Sequence, residues 1–418
     1  MQFNSPLRVL GTGFTTALFA STLFAQTLAT GDPRTIVEPE YPDVCEVLQA
    51  HFSSSQRATP PASDDTSRLQ AALDSCAGTG QSVMLIRGGT NDAFYSKTLS
   101  VNGEALVVKP GITLFGNNGY ANELLNVSGT NPAIMGPGTI DGRGDLISGT
   151  PRLIEARNTM NFTVYNVTLT HAAKMHLYVE GGSNLTVWKL TVATPANTKN
   201  TDGIDIDSMT NATVYDSSIE DGDDGVAVKT NSGPASNITV RNNVFYGTHG
   251  MSIGSQTMYG VTNVLWEDNQ MFGTDMFGNV ASDNNGIRIK SDPTCGVLVQ
   301  QVTYRRTILT GIKHLLIFNP YYGTCSGTPG IPVFQDIVVD GVVSTGSQSG
   351  AYSQFQGYDA SHPLELYLAN VNLDQTAQQK TQYANVGLYN SNITPAGPGV
   401  TTFDFYLNDL NGWPNTPH

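Results

Sequence analysis

The sequence predicts an all-β fold, a right-handed parallel β-helix closed at its N-terminal end by one short helix. Three observations carry this expectation. Five segments repeat at nearly one period: Asn161-Phe-Thr-Val, Asn184-Leu-Thr-Val, Asn211-Ala-Thr-Val, Asn237-Ile-Thr-Val and Asn263-Val-Leu-Trp, spaced 23, 27, 26 and 26 residues apart. A period of that size marks a solenoid, in which no single turn can bury its apolar face alone. The repeated segments are short, rich in Val, Ile, Thr and aromatics, and bounded by Gly, Asn and Asp. No helical period runs through them, which disfavours helix-containing solenoids such as leucine-rich repeats. One amphipathic stretch does occur, at residues 64–76. Asp65 or Thr66 caps it and Leu69, Ala72 and Leu73 share a face.

The remaining elements follow in chain order. Residues 1–29 read as a secretory signal, with Arg8 as the basic n-region, an apolar run from Val9 to Phe24, and small residues at Ala25 and Ala29. The run is broken by Thr, Ser and Gly, which disfavours a membrane anchor. Residues 30–418 then form one secreted, extracellular β-helical domain. Cys45 and Cys76 flank the helix, and Cys295 and Cys325 flank a later segment. Three pairings are possible and the two local ones are simplest. Coils are expected from near Leu99 to about Leu373, with the helix lying across the N-terminal end. The recurring Asn should stack from coil to coil as a hydrogen-bonded ladder. Seven sequons, at Asn126, Asn161, Asn166, Asn184, Asn211, Asn237 and Asn392, read equally as glycan acceptors or as the turn chemistry of the repeat.

Composition narrows the partners. The chain has 418 residues, of which 13% are charged, with 21 basic and 35 acidic side chains and a formal charge of −14. Removing residues 1–29 deletes one basic residue and no acid, leaving 20 against 35, or −15. Such a surface argues against nucleic acid or an anionic membrane as partner. The low charge content and ample apolar content also exclude a disordered chain.

A second register locates the chemistry. Gly203-Ile-Asp-Ile-Asp, Gly225-Val-Ala-Val-Lys, Gly250-Met-Ser-Ile-Gly and Gly286-Ile-Arg-Ile-Lys all begin strands at the same phase. Alternation sends Ile204, Ile206, Val226, Val228, Met251, Ile253, Ile287 and Ile289 inward. It sends Asp205, Asp207, Ala227, Lys229, Ser252, Arg288 and Lys290 outward. Asp202, Asp224 and His249, each just before its Gly, then form a column, with Arg288 and Lys290 one coil further on. Stacked carboxylates cannot all keep ordinary pKa values, so one stays protonated as a general acid while another activates water. That is the equipment of a glycosidase, and the neighbouring cations suit a substrate carboxylate. Together they point to an extended groove that hydrolyses a polyuronic acid.

Asn200-Thr201-Asp202, Gly222-Asp223-Asp224, His249-Gly250 and Arg288-Ile289-Lys290 resemble, in order, the four signature motifs of polygalacturonases, glycoside hydrolase family 28. Asp64-Asp65-Thr66 with Leu69 to Leu73 resembles that family's opening helix, so the likeness spans nearly the whole mature chain. The resemblance implies a pectin-lyase-like solenoid and hydrolysis of α-1,4-galacturonosyl links in pectin. It implies no cofactor or metal, and a homogalacturonan chain bound by a monomer. Position by position, it makes Asp223 the general acid and Asp202 with Asp224 the pair that holds and deprotonates water. His249 tunes the acid, Arg288 and Lys290 bind the galacturonate carboxylate, and Asn200 contacts substrate or braces the site. The family tyrosine falls on Tyr321, beside Tyr322.

Two departures are mild: Gly225 stands where the family often has Cys, and Thr248 precedes the histidine. One-rung spacing places the carboxylates closer than the ~6.5–9.5 Å of inverting glycosidases. The family nevertheless inverts, and stereochemistry is taken here from the resemblance. Alone, Asp202 and Asp205 would read as turn residues, Glu220 to Asp224 as a solvated loop or Ca²⁺ site, and His249 as structural. Lys229 and Lys313 could add to the basic patch, but the reading as solvated lysines is favoured for both. The Met251-Ser-Ile-Gly-Ser and Gly286-Ile-Arg-Ile-Lys-Ser-Asp stretches lean toward endo-acting relatives. An exo mode would need one end of the groove closed, for which the insertion at Phe272–Asn284 is the candidate. Rhamnogalacturonan or xylogalacturonan backbones are alternative substrates. A Ca²⁺-dependent lyase and a non-catalytic binding β-helix are the competing function classes.

Overall fold

A computed structural model describes residues 26–406 and 410–411, apart from residues 121, 324–326 and 328. Most of the expected signal segment lies outside the described residues. Among the described residues every pairing between strands, isolated bridges aside, is parallel, and strands recur on three faces of a β-helix. One face is a ten-stranded sheet of short strands. The other two join around a corner into a larger sheet.

Coils form because the inward residues stack like on like. On one face a buried column runs Leu99, Leu125, Ile154, Leu177, Ile204, Val226, Met251, Ile287 and Leu316, each in register with the next. A second runs Val101, Val127, Ala156, Val179, Ile206, Val228, Ile253, Ile289, Phe318 and Phe355. All of these side chains belong to one continuous core. The eight inward residues assigned from the sequence are therefore placed correctly. This face carries the groove described below.

The coils begin earlier and end later than Leu99 and Leu373. Val44–Gln49 already pairs in parallel with Ser82–Ile86, and Ala384–Tyr389 pairs with Val400–Asp404 beyond Leu373. The early strand was illegible because Val44 and Val47 face solvent and no Asn repeat marks its turn. The helix, Thr66–Cys76, packs Leu69, Ala72, Leu73 and Cys76 onto the core at the N-terminal end. Its cap differs from expectation: Asp65 occupies the cap position without a side-chain cap bond, and Asp64 accepts the Thr66 N–H at 3.1 Å. Asp65 is drawn away by Arg68 and the Tyr95 N–H. Cys45 is bonded to Cys76, and Cys295 is also disulfide-bonded, its expected partner Cys325 lying outside the described residues.

The corner beyond the groove face carries the asparagine ladder. Asn161 donates to Asn131, Asn184 to Asn161, Asn211 to Asn184, Asn237 to Asn211 and Asn263 to Asn237, at 2.8–3.0 Å. All six sit at positive φ, near +60°, a conformation Asn tolerates at turns. Four of the seven sequons are rungs of this ladder, so their Nδ2 groups serve the stack.

The N-terminal segment is a strap laid across successive coils. Ala29 N–H reaches Thr303, and Thr30 and Gly31 N–H groups both donate to Asn263 Oδ1, the open end of the ladder. Asp32 binds Thr239 and Thr213, Arg34 donates to the Leu185 carbonyl, and Glu38 accepts from Tyr165 and Lys189. Gly31 is required there: its φ is +68°, and a Cβ would lie 2.2 Å from Thr239 Oγ1. Among the described residues no helix is long and apolar enough to cross a membrane.

Candidate active site

Strands Ile204–Asp207, Val226–Thr230, Met251–Thr257 and Asn285–Lys290 lie side by side on the groove face. Their register aligns Ile204 with Val226, Met251 and Ile287, so Asp202, Asp224, His249 and Asn285 form the expected column at the strand starts. Main-chain bonds tie it together: Gly203 N–H to the Asp224 carbonyl, Gly225 N–H to Gly250, and His249 N–H to Asp223. Below Asp202, buried His176 donates to its carbonyl from both the main-chain N–H and Nδ1. Burial pushes the His176 imidazole down to about 4, which keeps it neutral.

Asp202, Asp223 and Asp224 each bring one carboxylate oxygen within 4.8 Å of the others. Asp223 is the most exposed of the three, with 21% of its side chain reaching solvent. Its Oδ1 accepts from the Asp224 N–H at 2.9 Å and faces His249 Nδ1 at 3.1 Å. The Asp283 N–H donates to His249 Nε2, so the ring proton belongs on Nδ1, directed at Asp223. Asp223 Oδ2 has no hydrogen-bond partner among the described residues. A proton held by Asp223 therefore sits on Oδ2, the atom open to a substrate.

The three acids differ in electrostatics. Asp224 is fully buried, which opposes its charge, but Lys290 at 2.7 Å, Arg288 at 3.6 Å and Lys229 outweigh the burial and hold its carboxyl far below the usual range. Ser252 Oγ also donates to it at 2.6 Å. Asp202 is pushed up by burial and by the charges of Asp223 and Asp224, against the pull of Lys229 at 3.3 Å. Lys229 bridges Asp202 and Asp205, the latter at 2.5 Å, and those acids hold it firmly protonated despite burial. Two carboxyls against one ammonium leave one proton to be kept. Burial and the Asp202 charge place it on Asp205, raised to about 8. The acid trio has the spacing a divalent cation accepts, yet ammonium groups already engage Asp202 and Asp224. The donor set is internally charge-compensated and does not fit a resident metal.

The cations lie deeper than the sequence implied. Arg288 and Lys290 do project off the coil, but only 3% and 5% of each residue is exposed, because the acids fold over them. Arg288 pairs with Asp283 at 2.8 Å, and its buried Nε has no partner among the described residues. Tyr322, and not Tyr321, lies over the pair, 4.8 Å from the Arg288 guanidinium and 4.9 Å from the Lys290 ammonium. Tyr321 stacks on Tyr358 at 5.4 Å. Both tyrosines line a cleft of about 450 Å³ that continues from Arg288 toward the C-terminal coils. Asn200 is exposed on the loop before Asp202, at positive φ, and its side chain makes no hydrogen bond to the acids among the described residues.

Several participants were missed by sequence reasoning. Lys229 was read as a surface lysine, though its register beside Asp207 on an Asp-rich strand was the available signal. Asp205 and Ser252 were placed outward without partners. Ser282 and Asp283, which contact His249 and Arg288, sit in the Phe272–Asn284 insertion, where no repeat fixes position. That insertion also accepts the Ala196 N–H at Asp275, which ties it to the segment leading into Asp202.

Comparison with known proteins bears on this arrangement. The family model described as glycosyl hydrolases family 28 matches residues 96–393. An endo-polygalacturonase of Pectobacterium carotovorum subsp. carotovorum is 33% identical over 431 aligned residues, covering 92% of this chain and 99% of the relative. A polygalacturonase of Ralstonia solanacearum is 31% identical, covering 93% and 89%. The solved structure of the polygalacturonase from Erwinia carotovora ssp. carotovora superposes with a TM-score of 0.73 at 32% identity, over 85% of this chain and 99% of that one.

Proposed function

This chain belongs to glycoside hydrolase family 28, and from that membership we propose how it works as an endo-acting polygalacturonase on homogalacturonan. Asp223 gives its Oδ2 proton to the glycosidic oxygen as the bond breaks. Asp224, ionised by Lys290 and Arg288, and Asp202, held by Lys229, grip the attacking water and accept its proton. His249 donates to Asp223 Oδ1 and steadies the carboxyl through both of its states. The free donors of Arg288 and Lys290, with Tyr322 above them, take the carboxylate of the sugar beside the scissile bond. Asn200, on the loop before Asp202, contacts substrate. Water attacks opposite the departing oxygen, giving inversion.

The single observation that carries this reading is the contrast inside the acid trio. One carboxyl has a bare oxygen open to the groove, while its two neighbours are bound to buried cations. Endo action is supported by clefts on the same face to either side of the trio, one lined by Glu155, Arg157 and Lys174 and the other by Arg288, Tyr322 and Lys380. Export through the signal segment and action as a monomer complete the proposal. Product sizing on polygalacturonate tests the mode: oligomers should appear from the first minutes, and release of monomer alone overturns it. Activity should persist in chelator without an ultraviolet-absorbing unsaturated product; loss of activity together with such a product favours a lyase. The anomer released first, read by proton NMR, tests inversion.

A further inference from the structure

Outward residues on the groove face form a single row, in register from coil to coil: Asp205, Ala227, Ser252, Arg288, Ile317, Gln354 and Lys380. Lys380 therefore stands three coils beyond Arg288, roughly 14 Å along the groove at about 4.8 Å per coil. It is exposed, and among the described residues no carboxylate pairs with it. Its ammonium rests 4.6 Å from the centroid of the Tyr352 ring, which itself packs on His314. The ring contact orients a side chain that would otherwise wander in solvent. Lys380, Tyr352 and Gln354 line the same cleft as Arg288 and Tyr322.

We infer that Lys380 is a distal carboxylate-binding residue, taking the uronate of a galacturonic acid about three residues along the same polymer from the one held by Arg288. A 1,4-linked pyranose advances by close to one coil spacing, so a chain lying along the row presents a carboxylate near this cation. The exposed ammonium meets it with no protein carboxylate in competition, whereas Arg288 and Lys290 share their donors between substrate and Asp224. This inference rests on the proposed uronan substrate and extends it to substrate length and position.

The test compares wild type, Lys380→Ala and Lys380→Arg on oligogalacturonides from trimer to octamer and on polygalacturonate. In Lys380→Ala, kcat/KM should fall about five- to tenfold on the long substrates, through KM, and stay unchanged on the trimer. Lys380→Arg should retain most of the long-chain advantage. The preferred cleavage position in the hexamer should move in the Ala variant. An unchanged ratio of long- to short-substrate kcat/KM in Lys380→Ala overturns the inference while leaving the proposed function standing. A wild type that cleaves no uronan of any length overturns both.

Discussion

Two stacks of side chains run along this solenoid at the same coil spacing, and they behave in opposite ways. On the corner, six asparagines repeat from Asn131 to Asn263, and each of the four inner amides donates to one neighbour and accepts from the next. In the groove, Asp202 and Asp224 sit on adjacent coils with Asp223 beside them, and carboxylates can only accept. An amide stack satisfies itself. A carboxylate stack needs lysines, an arginine and a retained proton to exist at all, and those compensations separate the acids into different charge states. One backbone geometry thus gives structure when the side chain is Asn and, in the proposed mechanism, acid–base chemistry when it is Asp.

The largest expected effect breaks the groove stack at its reactive member. Asp223→Asn should lower kcat by about 10³-fold with little change in KM, since the amide keeps shape and loses the transferable proton. Thermal melting measured alongside should stay within a few degrees of wild type; residual activity near the wild-type level would remove Asp223 from the acid role. Next, Lys229→Met withdraws the charge that keeps Asp202 ionised. Its pKa should rise, so the acidic limb of the kcat/KM profile should move to higher pH, and activity near pH 5 should fall on the order of tenfold. A lower melting temperature with an unmoved acidic limb would reduce Lys229 to a packing role.

The ladder should respond only in stability. Asn211→Ala removes two amide hydrogen bonds and puts a β-carbon residue at φ +60° without the local bonding that Asn offers. The expected loss is about 2 kcal/mol in denaturant melts, with kcat unchanged. Asn211→Gly should recover the conformational share and leave the hydrogen-bond share. The remaining effect is a pH dependence in the groove. Asp205 retains its proton up to about 8 when folded and gives it up near 4 when unfolded, so the folded state binds the extra proton between those limits. Its contribution therefore falls as pH rises from about 4 to 8. Asp205→Asn should flatten the melting temperature across that window and raise it by a few degrees at pH 8. An unchanged pH slope would mean that Asp205 is ionised beside Lys229 throughout.

How much of this was legible depended on repetition. The inward columns, the Asp202–Asp224–His249 alignment and the asparagine ladder all follow from counting residues between identical turns. What the period could not supply was depth. Arg288 and Lys290 share their outward phase with solvated residues, and only the acids that converge on them show that they are buried. Nor could it rank Tyr321 against Tyr322, because both lie in a loop outside the repeat. Ser282 and Asp283 were hidden for the same reason. Lys229 was misread because its partner Asp202 is 27 residues away and joins it only once the coils are stacked.

The strap from Ala29 to Tyr41 alters how such a molecule comes apart. A solenoid held only by contacts between adjacent turns can unzip from either tip, one turn at a time. Here a single thread is stitched to the turns holding Thr303, Asn263, Thr239, Thr213, Leu185 and Tyr165 before the first turn is even built. Peeling any one of them loosens a seam shared by the rest, so the middle of the rod, where the acids sit, should melt as one block instead of fraying.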